Sequence, residues 1–150
     1  MRSEKILKEF VGECMKKFGK DLVSIVLFGS YARGNYKETS DIDLLVVAKD
    51  FPEKWNERKK LFDEILNNIY KEYGKYIEVI PLTQEEFSLN LRNKSSLFIT
   101  FVIAHKILFD NGTFAREFRK FSSELAKRDF TYYEGENKWE IKKEAIKYLH

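Results

Sequence analysis

Within the string FGSYARGNYKETSDIDLLVV, ten residues separate Gly29-Ser30 from Asp41-Ile42-Asp43. Asp41 and Asp43 head an apolar run whose period of two sets them on one face of a predicted strand and Ile42, Leu44 and Val46 on the other. Like charges about 4 Å apart repel by roughly 4 kcal/mol even at an effective dielectric of ~20, so the pair must share a proton or bind a cation. Carboxylate donors select a hard ion, and magnesium typically takes one or two of them together with substrate phosphates. The preceding run, Val23 to Phe28, is a short buried-strand pattern that ends at Gly29. A glycine there lets a phosphate approach the backbone, and Ser30 adds a hydroxyl and an N–H at the start of a short predicted helix. Together the turn and the acids describe a site for a metal-bound nucleoside triphosphate.

Glu78 interrupts a third apolar run, Tyr76 to Ile80. If this strand lies beside the Asp strand, Glu78 completes a three-carboxylate cluster able to hold two metal ions about 3.5–4 Å apart, or to take a proton from an attacking hydroxyl. Alternatively it faces water on a half-exposed sheet. Arg33, four residues after Gly29, could reach a phosphate or could brace the loop by pairing with Asp41 or Glu38.

The string Gly29-Ser30-Tyr31-Ala32-Arg33-Gly34, a spacer, and Ser40-Asp41-Ile42-Asp43 resembles the signature of the DNA polymerase β-like nucleotidyltransferase superfamily, and most of all its minimal members from bacteria and archaea. The resemblance covers about residues 22 to 82. It implies that Gly29 and Ser30 bind the triphosphate, that Asp41 and Asp43 hold magnesium, and that a third acid on a neighbouring strand, here Glu78, completes a two-ion set. Minimal members often carry Asp at that third place, one methylene shorter than Glu78. The implied reaction transfers a nucleoside monophosphate, AMP by expectation, from a triphosphate to a hydroxyl with release of pyrophosphate. Minimal members often pair with a separate small helical protein, and some add AMP to that partner as the antitoxin of a toxin–antitoxin pair. The rival expectations are a non-catalytic nucleotide- or partner-binding module of the same fold and a structural protein that self-associates.

With 150 residues, 43% apolar and 15% aromatic, the chain is expected to form one ordered nucleotidyltransferase-like domain over residues 1–150. The 27 basic and 24 acidic residues nearly cancel, so nucleic acid is not a required partner, and Lys54 to Lys60 reads as a solvated helix face. No apolar run reaches membrane-span length and no signal-peptide core opens the chain, so no membrane partner and a cytoplasmic location are expected. Cys14, the lone cysteine, falls on an apolar helix stripe as a small core residue.

The elements that must position the acids read as α/β (α+β): a small mixed sheet with its acid-bearing face open and helices packed on the other. Residues 4–18 carry a helical stripe closed by Gly19. Pro52 starts a long helix with Leu61, Phe62, Ile65, Leu66 and Ile69 on one face. Thr83-Gln84-Glu85-Glu86 is a capping box, and Ser95 or Ser96 caps a further helix. Ile107 to Phe109 reads as an edge strand, and Phe114, Phe118, Phe121 and Leu125 as a C-terminal helix. A final hairpin joins 130–133 to 138–141 through four residues; its aromatics cover the sheet, form a subunit contact in a homo-oligomer, or stack on a base.

Overall fold

The computed structural model describes residues 2–127 and, for their backbone, 130–133 and 138–141. Leu22–Phe28 (β1) is apolar except at Ser24 because both of its faces are covered, as a central strand requires. It lies between Ile42–Ala48 (β2) and Lys106–Asp110 (β4), antiparallel to both. Ile77–Thr83 (β3) adds in parallel on the far side of β2, giving a mixed sheet of order β3-β2-β1-β4. Pro81 is tolerated because β3 is an edge strand.

Arg2–Phe18 (α1) and Asp63–Tyr73 (α4) cover one face, packing Phe10, Cys14, Phe62 and Ile69 against Ile25, Leu27, Leu44 and Val46. Burial pushes the Cys14 thiol up to about 12, so it stays an inert core group. Helices were expected on one face only. The opposite face carries a second layer as well: Gln84–Arg92 (α5), Ser96–Ile103 (α6) and Thr113–Ala126 (α7) cover Val26, Leu45, Val47 and Leu82. Six phenylalanines, at 87, 98, 101, 114, 118 and 121, fill this layer, and so apolar a group cannot be left in water. The capping box at Thr83 and Glu86 forms as expected. Ser95 occupies the cap position of α6, although its hydroxyl makes no capping bond.

The expected long helix after Pro52 is two helices, Trp55–Lys60 (α3) and α4, broken at Leu61-Phe62. Arg58 ties α3 to β3, while Phe62 must turn inward to meet Phe10, Phe18 and Phe51, and one straight helix cannot serve both. Phe130–Tyr133 (β5) and Lys138–Ile141 (β6) pair antiparallel, Tyr132 opposite Trp139. The connection 134–137 and the hairpin's aromatic side chains lie outside the described residues.

Candidate active site

Strand pairing sets the acids in one row. Asp43 pairs with Phe28 of β1 on one side and with Glu78 of β3 on the other, and directly paired residues share a face. Asp43 is the one residue of β2 that is not buried, and Glu78 is exposed. Phe28 stacks on Phe101 of α6 at 4.8 Å, which closes the second helical layer just short of the acids.

Gly29–Arg33 (α2) starts where β1 ends. Gly29 has a φ of 73°, a left-handed backbone that favours glycine. A methyl group there would also lie 2.2 Å from Asp43 Oδ2 and 3.1 Å from its Cγ. No side chain caps the start of α2, so its first-turn N–H groups remain available to an anion.

Asp41 stands one residue before β2, exposed, and the Ile42 N–H donates to the Tyr76 carbonyl at 3.1 Å. The loop that delivers Asp41 is fixed by Lys75, whose Nζ donates to the Glu38 and Ser40 carbonyls at 2.7 and 3.1 Å. The Asp43 carboxyl is held above its ordinary range by burial first and then by the charges of Asp41 and Glu78, while Arg33 pulls the other way. The three acids are thus close enough to repel, and the Arg33 cation reaches them. Among the described residues Arg33 forms no ion pair with Asp41 or Glu38, so the bracing role is not what this geometry shows.

Glu78 is engaged from outside the row. Lys59 of α3 donates to Glu78 Oε1 at 2.8 Å and to the Val79 carbonyl on the edge of β3. Lys59 is placed by its neighbour Arg58, only 5% exposed, which donates to the Pro52 carbonyl at 2.6 Å, to the Pro81 carbonyl at 3.2 Å and to both Glu86 oxygens. Among the described residues no three acid, His or Cys side chains are gathered as a ready cage for an ion. The donors nearest to forming one are the oxygens of Asp41 and Asp43, a set that suits a hard divalent cation sharing its shell with phosphates.

Arg58, Lys59 and Lys75 carry no sequence signal as site residues. The first two sit in a charge run that reads as solvated, and their partners are 19 to 28 residues away.

A short helix starting at a glycine beside paired strand acids on a mixed sheet is the nucleotidyltransferase fold. The model of the nucleotidyltransferase domain matches residues 7–108, and the chain belongs to that family of enzymes. It is 36% identical to "Putative protein adenylyltransferase MJ1305" of Methanocaldococcus jannaschii over 137 residues, 91% of this chain and 92% of that one. A second protein of that organism, named in the same way and numbered MJ0604, is 37% identical over 59% of this chain and 81% of its own. A chain from a crystal structure of a toxin–antitoxin with AMP-PNP superposes with a TM-score of 0.50, covering 81% of this chain and 91% of that one at 17% identity, a likeness of fold. Among the described residues no helix is long and apolar enough to cross a membrane.

Proposed function

We propose that this nucleotidyltransferase moves AMP from ATP to a hydroxyl of a protein, with Asp41, Asp43 and Glu78 as its acid row and Gly29, Ser30 and Arg33 as its phosphate contacts. The observation that carries the site is the fit of Asp43 against Gly29, since a strand acid left uncovered in an otherwise buried strand meets the one residue type that gives it room. The relatives named as protein adenylyltransferases, one alignable over 91% of the chain, support AMP as the group and a protein as the acceptor.

Gly29 and Ser30 receive the outer phosphates through the start of α2, and Arg33 adds a cation beside them. Asp41 and Asp43 would hold magnesium, which supplies charge neutralisation to the phosphates when bound. The acceptor oxygen forms its bond to the α-phosphorus as the bond from that phosphorus to the bridging oxygen breaks. Pyrophosphate leaves, and the hydroxyl proton passes to Glu78. Orientation and fixed charge do most of the work in such a transfer.

The test incubates the protein with ATP, CTP, GTP and UTP, each labelled at the α-phosphate, with magnesium and extract from cells that carry its gene neighbours. Label from ATP alone should appear on a protein band, and a small helical partner is the acceptor to examine first. Label on RNA or on a small molecule, with none on protein, would replace the acceptor class.

A further inference from the structure

The same row of acids poses a question that the reading above leaves open, whether Glu78 binds a second ion or serves the acceptor hydroxyl, and the answer rests on that reading. We propose that Lys59 is a built-in cation that takes the place of a second metal ion at Glu78, so that the site holds one divalent ion, on Asp41 and Asp43, and Glu78 is reserved as the proton acceptor.

Most exposed lysine–glutamate pairs are loose and worth little. This one differs in how its lysine is held. Lys59 is about one-third exposed at 32% and is fixed at two points, Glu78 Oε1 and the Val79 carbonyl, on an unpaired strand edge that offers that carbonyl. Its helix cannot drift, because Arg58, the preceding residue, is clamped to Pro52, Pro81 and Glu86 and lies over the rings of Phe51 and Trp55 at 5.7 Å. A divalent ion bridging Asp43 and Glu78 would need Glu78 oxygens already satisfied by an ammonium, and would face that ammonium at repulsive range. Glu78 Oε2 remains unengaged by Lys59 and is the oxygen available to a hydroxyl. Lys59 therefore acts through Glu78, as a positioning residue.

Manganese serves as the probe, with α,β-methylene-ATP as a nucleotide that cannot be cleaved at the reacting bond. Equilibrium dialysis counts ions per nucleotide complex, and electron paramagnetic resonance detects the spin coupling of two ions about 4 Å apart. The native protein and Lys59→Arg should bind one ion without coupling, whereas Lys59→Ala and Lys59→Met should bind two with coupling. Adding Glu78→Gln to Lys59→Met should return the count to one. The methionine variant keeps the apolar stem, so a folding defect of the alanine variant leaves the test intact. Two coupled ions in the native protein, or one ion in both neutral variants, would overturn the inference while leaving the transfer reaction standing. No ion held by any form would overturn the metal role of Asp41 and Asp43 as well.

Discussion

Gly29 and Asp43 are fitted to one another: a methyl group at Gly29 would sit 2.2 Å from Asp43 Oδ2, on a backbone whose φ is 73°. The turn and the acid strand are therefore one construction, and the ten-residue spacer between Ser30 and Asp41 is the connection that brings β2 back antiparallel to β1. Gly29→Ala should displace the Asp43 carboxylate and strain α2. A displacement of about 1 Å costs on the order of a hundredfold in rate, so pyrophosphate release should fall by at least that factor. Circular dichroism should still show a folded protein.

Asp43→Asn separates site from scaffold in the opposite way. Neutralising a half-buried acid that is repelled by Asp41 and Glu78 removes an unfavourable interaction from the folded state. Its melting temperature at neutral pH should hold or rise while metal-dependent ATP binding is lost. A clear drop in melting temperature would make Asp43 a structural residue.

Ser30→Ala should weaken ATP binding more than AMP binding, because the start of α2 is proposed to touch only the outer phosphates. One hydrogen bond to a charged group is worth about 1.5–3 kcal/mol, or roughly ten- to a hundredfold in affinity. Calorimetry with both ligands, with and without chelator, measures the difference; chelation should abolish ATP binding in the native protein.

The support beneath Glu78 has its own pH dependence. Hydrogen bonding from Arg58 is the main reason that the Glu86 carboxyl is held below its ordinary range. A lowered carboxyl contributes stability that is present above the ordinary glutamate range, near pH ~4.3, and lost as pH falls through its folded value. Native melting temperature should therefore drop more steeply than that of Glu86→Gln as pH is lowered from about 5 to about 3. At pH 7 the variant should melt lower by about 3–6 °C, corresponding to roughly 1.5 kcal/mol, at the low end because the Glu86 side chain is 40% exposed.

Much of this arrangement is legible in the sequence because it is local. The strand before Gly29, the alternation through Asp43, the capping box at Thr83 and the phenylalanine spacing of α7 each follow from neighbours a few residues apart. The second helical layer is less visible: Val26 and Leu45 read equally well as one buried face or the other until the phenylalanines of α5 to α7 are placed over them. The break between α3 and α4 was hidden because the apolar stripe from Leu61 to Tyr70 continues through it. Arg58 and Lys59 were unreadable for a different reason. A lysine in a charge run becomes a fixed cation only when a crossover brings β3 alongside it, and no local pattern encodes that meeting.

The central claim is that bond cleavage occurs at the α-phosphorus and depends on the acid row. The native protein, Asp43→Asn and Glu78→Gln should be given ATP labelled at either the α or the γ phosphate, together with magnesium and the acceptor protein. The account predicts that α-label alone reaches the acceptor in the native case, with pyrophosphate released in equal amount. Glu78→Gln should bind ATP within a few-fold of native and transfer about a hundredfold less, the usual contribution of a placed base, while Asp43→Asn should transfer none. Transfer of γ-label, or native rates in both variants, would contradict it.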